Sequence, residues 1–215
     1  MKILGIDEAG RGPVLGPLVM CGVVIDESRI RELVNIGVKG SKQLLPAKRR
    51  LLYEQLQTLV DSFHVVIVEP REIDAALFSV DFNLNKLEAQ KSADIIRHLK
   101  PDRVILDCPS TNLAGYKGEV AFHLGDTLDF TVEIITRHKA DVDFPVVSAA
   151  SIIAKVTRDA IIEELKEQHG VDFGSGYLSD PKTNIFLEEH WNAPVFATLF
   201  RKSWEPWKRI QYSQG

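Results

Sequence analysis

The pattern of apolar and polar positions along the 215 residues predicts strands and helices that follow one another. Short continuous apolar runs are typical of buried strands, whereas apolar residues three and four apart indicate one face of a helix. By these patterns we predict strands at 2–7, 18–25, 63–69, 104–107 and 130–135, and helices at 46–60, 83–99, 148–169 and about 182–191. The first two strands form a hairpin through residues 10–16. Strands that then alternate with helices indicate an α/β fold with a mixed β-sheet flanked by helices.

The last quarter of the chain has a different pattern. The long predicted helix ends at Gly170, and a segment rich in glycine, serine and proline follows it. Few strand signals appear beyond that point. We therefore predict a main α/β domain over residues 1–170 and a small C-terminal helical extension over residues 171–215, packed on the main domain.

Composition excludes several classes of protein. The apolar content of 45% and the charged content of 26% are ordinary for a globular protein. Two cysteines, Cys21 and Cys108, leave no disulfide framework and no cysteine zinc cluster, and we expect both to be buried thiols. No apolar run is long enough to cross a bilayer, and acids at positions 7 and 8 interrupt any signal peptide. We expect a cytoplasmic protein without a membrane partner.

The charge balance bears on nucleic-acid binding. A net charge of −4 argues mildly against it, because such binding depends on contacts between cations and phosphates. A locally basic rim around acidic residues would remove the objection. Two basic clusters are present, and each taken alone is more typical of a solvated helix face. Their members are Lys39, Lys42, Lys48, Arg49 and Arg50 in the first and Arg201, Lys202, Lys208 and Arg209 in the second, which is interleaved with Trp204 and Trp207.

Acidic residues follow three of the predicted strands. Asp7 and Glu8 end the first strand, Asp107 ends a buried strand, and Asp141 follows a strand and a basic segment. In open α/β sheets, sites collect at the carboxyl ends of strands. Acids from separate strand ends can hold two cations roughly 3.5–4 Å apart, the arrangement used for displacement at phosphorus. Each acid taken alone also fits a turn former or a helix cap, and Asp143 is an alternative to Asp141.

Glycine and arginine follow the first acids directly. Gly10, Arg11 and Gly12 offer backbone N–H groups and a guanidinium to a phosphate or a ribose. A metal and a phosphate together indicate phosphoryl-transfer chemistry. Farther along, Ser148 and Ser151 open an alanine-rich helix, where we interpret them as packing or capping residues.

Four motifs in this order resemble type 2 ribonuclease H, ribonuclease HII, of the archaeal kind, and the match runs nearly end to end. The motifs are GIDEAGRGPVLGPLV at 5–19, SKQL at 41–44, HKADVDFPVVSAASIIAKVTRD at 138–159 and GSGYLSDPKT at 174–183. The resemblance implies a ribonuclease H-like fold. It also implies two divalent cations, Mg²⁺ or Mn²⁺, during catalysis.

The resemblance implies roles residue by residue. Asp7, Glu8, Asp107 and Asp141 would be the catalytic, metal-binding acids. Residues 10–12 would contact the 2′-hydroxyls and the phosphate of an RNA–DNA junction. Lys42 would hold a phosphate, and Tyr177 would stack on the sugar of the following deoxynucleotide. Without the resemblance, Tyr177 is a loop aromatic that packs on the core as readily as it touches a ligand.

The implied activity is hydrolysis of the RNA strand of RNA–DNA hybrids and of single ribonucleotides in duplex DNA. The products would carry a 5′-phosphate and a 3′-hydroxyl, and the roles would be ribonucleotide removal and RNA primer removal. The tail KRIQYSQG does not show the motif by which some archaeal members bind a sliding clamp, so a clamp partner is left open. We expect a monomer, although the sequence itself does not determine the oligomeric state.

Two other functions remain as alternatives. A small-molecule kinase of the actin and hexokinase type also places an acid and glycines after its first strand, but it closes two domains over a nucleotide, for which 215 residues is short. A non-catalytic module that binds hybrids is the second alternative. Four acids along the phosphate path would be a handicap for binding alone.

Overall fold

A computed structural model describes residues 1–39, 44–126 and 128–214. Lys42, the predicted phosphate ligand, lies outside the described residues. In chain order the strands and helices are β1 (Lys2–Ala9), β2 (Leu18–Asp26), α1 (Ile30–Asn35), α2 (Pro46–Leu59), β3 (Ser62–Val68), α3 (Pro70–Phe78), α4 (Leu84–Leu99), β4 (Arg103–Asp107), α5 (Leu113–Leu124), β5 (Glu133–Arg137), α6 (Ala140–Asp143), α7 (Pro145–His169), α8 (Pro181–His190) and α9 (Glu205–Gln214).

The strands form one mixed sheet with the order β3-β2-β1-β4-β5. β1 and β2 pair antiparallel, from Lys2 opposite Asp26 to Ala9 opposite Val19, so the predicted hairpin is confirmed. β1 pairs parallel with β4, and β4 pairs parallel with β5. A parallel pair needs a crossover between its strands, and helices supply these connections. The predicted α/β class with a mixed sheet is therefore confirmed.

Two predicted elements begin three residues away from their positions in the structure. The last strand covers Glu133–Arg137 and not 130–135, because its register with β4 aligns Glu133 with Arg103 and Arg137 with Asp107. The long helix begins at Pro145 and not at residue 148. Proline suits the first turn of a helix, since its missing N–H would have no partner there and its φ is already helical.

Five of the helices in the described residues were not predicted: α1, α3, α5, α6 and α9. α3 begins on Pro70 and buries Ile73 and Ala76, a short apolar face that is easily taken for a loop. α5 contains two glycines, which disfavour a helix, but the Asn112 side chain caps it by accepting a hydrogen bond from the backbone N–H of Gly115.

The described chain divides into two compact units. The first consists of Met1–Ala9, Val19–Val66 and Asn85–Val156, and its buried core includes Leu4, Leu106 and Val147. The second consists of Gly10–Leu18, Ile67–Leu84 and Thr157–Gly215. The predicted boundary at residue 170 stays a prediction. Both cysteines are buried and free, as expected. Within the described residues, no helix combines the length and the apolar character needed to cross a membrane.

The close approach of α7 to β1 depends on Gly5. A Cβ atom at Gly5 would lie 2.5 Å from the backbone carbon of Val146 and 2.5 Å from the backbone nitrogen of Val147. Real Cβ atoms do not approach backbone atoms so closely. The first turns of α7 therefore pack directly on the backbone of the central strand, which brings their side chains to the end of β1.

We expect Gly5→Ala to lower the free energy of unfolding by about 1–3 kcal/mol, the scale of overpacking in a core. Gly118→Ala in α5 is the matched control, because a Cβ there would meet no heavy atom of the described residues within 4 Å apart from its chain neighbours and the backbone of its own helix. Since alanine favours helices over glycine, the control should gain up to about 1 kcal/mol. Urea unfolding of both variants measures the difference, and equal stabilities would contradict this packing.

Candidate active site

Asp7 and Asp107 lie side by side on two neighbouring strands, toward the carboxyl ends of those strands. The two strands that carry them, β1 and β4, are parallel neighbours whose last aligned pair is Ile6 with Leu106. Each aspartate is the next residue beyond that pair. Aligned residues of parallel neighbours point to the same face, and neighbouring strands lie about 4.8 Å apart. The pairing of β1 with β2 continues to Ala9, so the structure corrects the prediction that Asp7 ends its strand.

The Asp7 carboxylate is buried and crowded by other negative charges. Burial, the charge of Glu8 and the charge of Asp107 raise the pKa of Asp7 well above its ordinary value. Hydrogen bonds from the Ser151 side chain and from the Glu8 backbone act in the opposite direction but do not cancel the increase. The Glu8 N–H donates to Asp7 Oδ1 at 2.8 Å. Glu8 itself is half-buried. This excess of negative charge in a buried place favours a bound cation.

A tight turn brings the segment that carries the fourth predicted acid, Asp141, to the end of β4. Lys139 adopts a left-handed conformation with a φ of 55°, and the next residue starts α6. The Ala140 N–H donates to Asp107 Oδ1 at 2.8 Å, which brings the start of α6 to the end of β4. Asp141 follows Ala140 and is half-buried, whereas Asp143 is exposed. The choice of Asp141 over Asp143 stays a prediction that this placement supports.

Two serines of α7 support these acids. Ser148 Oγ donates to the backbone carbonyl of Asp141 at 2.5 Å, and the Ser151 side chain donates to the Asp7 carboxylate. Residues three apart lie on the same face of a helix, so one face of α7 contacts both. The sequence alone indicates only packing or capping roles for these serines. Their spacing of three, at the start of the long helix that follows Asp141, was the available signal.

The candidate acids lie near the ends of neighbouring strands, but their side chains do not surround a position for a metal ion. Among residues 1–39, 44–126 and 128–214, no three histidine, cysteine, aspartate or glutamate side chains are arranged closely enough to hold a metal ion. The donor chemistry nonetheless fits a hard cation, because the candidate ligands are carboxylates and Asp7 lies among like charges. Divalent cations would relieve that repulsion.

In the second unit, Arg201 binds the backbone of the loop that contains residues 10–12. Its guanidinium is fully buried and donates to the backbone carbonyls of Gly10, Arg11 and Gly16 at 2.6, 3.0 and 3.0 Å. Gly10 has a φ of +83°, a conformation that side chains rarely adopt. A Cβ at Gly10 would also collide with the Arg158 side chain. The glycine is therefore required by both the turn and the close packing.

Tyr177 lies beside this loop. A Cβ built on Gly12 would be 4.0 Å from Tyr177 Cε1. The Val14 N–H donates to the Gly176 carbonyl at 2.9 Å, which ties the two segments together. The Tyr177 ring also lies 5.1 Å from the guanidinium carbon of Arg158. The structure therefore places Tyr177 beside residues 10–12, and its role in binding stays a prediction.

The interpretation of Arg201 as part of a solvated helix face was wrong. Arg201 is fully buried, and so is Arg158, which the sequence analysis did not single out. Arg158 donates to the carbonyls of Leu15, Pro17 and Ser175. A signal for Arg158 existed, since it lies four residues before the buried Ile162 on the same face of α7.

The three tryptophans pack in or against the apolar core of the second unit. Trp207 is buried, and Trp191 and Trp204 pack against the same apolar cluster. The Trp207 indole N–H donates to the Trp191 carbonyl at 3.2 Å. These contacts account for the rings without base stacking.

The chain is similar to known proteins in both sequence and fold. The family model described as ribonuclease HII matches residues 4–206. Ribonuclease HII of Pyrococcus furiosus is 46% identical over 216 residues, covering 99% of this chain and 92% of the relative. The crystal structure of ribonuclease H2 from Pyrococcus horikoshii OT3 has a TM-score of 0.87 at 40% identity and covers all of both chains. Ribonuclease HII from Archaeoglobus fulgidus, solved as a complex with PCNA, has a TM-score of 0.84 at 36% identity and covers 95% of this chain and 96% of that one.

The mixed sheet and these neighbours define a protein of the ribonuclease H-like fold, as predicted. More narrowly, the chain belongs to the ribonuclease HII family, and it is an enzyme, a ribonuclease H.

Proposed function

We propose that this protein cleaves the RNA strand of RNA–DNA hybrids, and single ribonucleotides within duplex DNA, by metal-dependent hydrolysis. The observation that carries the proposal is the register of β1 and β4, which sets Asp7 and Asp107 side by side, with the start of α6 hydrogen-bonded to Asp107. The family and the named relatives support the substrate class.

Asp7, Glu8, Asp107 and Asp141 would hold the metal. Two divalent cations, Mg²⁺ or Mn²⁺, would activate the attacking water and stabilise the leaving oxygen, leaving a 5′-phosphate and a 3′-hydroxyl. The protein's part is to keep these carboxylates oriented. Ser151 orients Asp7, and the Ala140 N–H orients Asp107. Ser148 holds the backbone of Asp141.

Residues 10–12 and Tyr177 would read the substrate. Gly10 follows Glu8 by two residues, so residues 10–12 lie only a few positions from Asp7 and Glu8 in the sequence. The ribose 2′-hydroxyl is the group that distinguishes RNA from DNA at a cleavage site. Lys42, outside the described residues, would hold a phosphate. The cellular roles would be ribonucleotide removal from DNA and RNA primer removal.

A sliding clamp is a candidate partner, because the relative from Archaeoglobus fulgidus forms a complex with PCNA. The residues KRIQYSQ at 208–214 belong to α9 and do not show the clamp motif. A binding measurement with a clamp and full-length protein would decide the question. A monomer and a cytoplasmic location stay predictions.

The function is tested by supplying Mg²⁺ with three labelled duplexes of one sequence: an RNA–DNA hybrid, DNA with one ribonucleotide, and DNA alone. We expect cleavage of the first two and none of the third. Consumption of ATP without nucleic acid would instead favour a kinase. Binding of hybrids without cleavage would favour a non-catalytic module.

We expect Tyr177→Ala to weaken cleavage of the single-ribonucleotide duplex by about 1–3 kcal/mol, the scale of aromatic stacking on nucleic acid. The ring would lie on the deoxyribose 3′ of the cut, where an added 2′-hydroxyl forces the two apart, so a long hybrid should lose less. Tyr177→Phe keeps the ring and should keep more activity. Tyr212→Ala, an 84% exposed tyrosine of α9, is the control. The measurement is kcat/KM on both substrates, and an equal loss on both would show that Tyr177 does not read the junction.

A further inference from the structure

Three consecutive backbone carbonyls of the loop at residues 10–12 are bound by one short segment of the chain. Arg201 donates to the carbonyls of Gly10 and Arg11 at 2.6 and 3.0 Å. The indole N–H of Trp204 donates to the carbonyl of Gly12 at 3.2 Å. The Arg201 guanidinium also lies over the Trp204 ring, with its carbon 5.0 Å from the ring centroid. The two side chains therefore act on the loop as a connected pair.

These carbonyl bonds determine where the loop amides point. In a trans peptide the carbonyl and the following N–H point in opposite directions, and the described chain contains no cis peptide. Because the carbonyls of Gly10 and Arg11 point at the Arg201 guanidinium, the N–H groups of Arg11 and Gly12 point away from it. Pro13 follows and has no N–H. Successive backbone N–H groups presented together bind anions and oxygen ligands.

The segment that carries Arg201 is itself fixed within the second unit. The Arg201 N–H donates to the Val14 carbonyl at 2.9 Å. The buried Asp74 carboxylate accepts the N–H groups of Lys202 and Ser203 at 2.9 and 2.8 Å. Arg201 and the two residues after it are thus held by hydrogen bonds from their backbone N–H groups, and the planar guanidinium of Arg201 presents several donors in a fixed geometry. A rigid support of this kind can hold the loop in one conformation.

We propose that Arg201 and Trp204 are positioning residues that fix residues 10–12 so that the amides of Arg11 and Gly12 are presented to the ribonucleotide. This inference rests on the proposed function. A donor fixed at the position of a substrate hydroxyl discriminates strongly against the analogue that lacks it, because its partner is then missing. A loose loop would adapt to either sugar. The pair therefore sets the preference for a ribonucleotide over a deoxyribonucleotide and does not take part in hydrolysis.

The test measures a ratio of affinities in full-length protein that carries Asp7→Asn, so that the substrate stays intact. Two duplexes differ only by one ribonucleotide, and the preference is the Kd for all-DNA duplex divided by the Kd for the ribonucleotide duplex. Arg201→Lys keeps the charge but loses the fork, and it should lower the preference roughly tenfold, the scale of hydrogen bonds to an ionised group. Trp204→Phe keeps a ring but loses one donor, and about a threefold decrease is expected.

Each variant has a matched control. Arg209→Lys changes an exposed arginine of α9 that pairs with Glu205. Trp207→Phe removes an indole donor that binds the Trp191 carbonyl and not the loop. Both controls should keep the preference of the parent. A purely structural role for Arg201 would lower the melting temperature and weaken both affinities together, which leaves the ratio unchanged.

An unchanged ratio in Arg201→Lys or in Trp204→Phe overturns the proposal. If Arg201→Lys does not fold, Trp204→Phe decides alone, because its side chain is only partly buried and the change is small. A decrease of equal size in Trp207→Phe would also overturn it. If the parent shows no preference and the protein with native Asp7 cleaves neither hybrid nor single-ribonucleotide duplex, the proposed function itself fails. If the parent shows the preference and the protein with native Asp7 cleaves its substrates, but the variants keep the preference of the parent, only the positioning role is refuted.

Discussion

We expect Asp7→Asn to lose cleavage by roughly a thousandfold or more, because removing a metal-ligating charge costs several kcal/mol of transition-state stabilisation. The amide has the shape of the carboxylate and can still accept a hydrogen bond from Ser151, so the fold should be kept. Substrate affinity should stay the same or increase, since the variant repels phosphates less. The measurement is single-turnover cleavage at saturating Mg²⁺, with duplex affinity and melting temperature as controls.

The stability of the same variant gives a second reading. The pKa of Asp7 in the folded protein is raised above its ordinary value of 3.8. The stability that this group contributes is therefore present below pH 3.8 and is lost as the pH increases from that value through the raised pKa. Without divalent cations, Asp7→Asn should therefore melt at a higher temperature than the parent at pH 7, and the difference should shrink toward pH 4. Added Mg²⁺ should stabilise the parent more than the variant. Near-normal turnover in the variant would refute the assignment of Asp7.

The second large effect distinguishes Asp141 from Asp143. Asp141→Asn should lose most of the activity, because it removes a carboxylate from the edge shared with Asp107. Asp143→Asn should keep most of it, since Asp143 is exposed on the same short helix. The two residues are two apart and in one four-residue helix, so each variant is a structural control for the other.

The comparison is made by kcat/KM on the single-ribonucleotide duplex, with melting temperatures to confirm equal folding. The reverse pattern, with Asp143→Asn inactive and Asp141→Asn active, would move the fourth metal ligand by two residues. Equal losses in both would indicate that the short helix matters as a whole and that neither carboxylate is a specific ligand.

The sheet could be read from the sequence because its strands are continuous apolar runs. The hairpin of β1 and β2 and the buried strand β4 were predicted nearly within their limits. The predicted bounds of β5 were wrong because its ends depend on its register with β4. The apolar pattern of a single sequence does not contain that register. α5 was missed because its cap at Asn112 offsets two glycines, an interaction visible only in the structure.

The acids of the candidate site were predicted because they lie at or near the ends of apolar strands, where sites of α/β proteins collect. Their supports were not found. Arg201 looked like a member of a basic surface cluster, since a sequence does not show which arginine binds backbone carbonyls in the interior. Ser151 had a similar difficulty, because a serine in an alanine-rich helix has several ordinary explanations. Residues that act through the backbone carry little signal in the sequence.

The most direct test of the account is a titration of single-turnover cleavage with Mg²⁺ or Mn²⁺, using the native protein and a labelled duplex that contains one ribonucleotide. We expect no cleavage in the presence of a chelator. Added metal should produce a saturable rise to full activity, a single cut at the ribonucleotide and a 5′-phosphate on the product. Cleavage at the same rate with chelator and with metal would contradict the claim that Asp7, Glu8, Asp107 and Asp141 act by holding divalent cations.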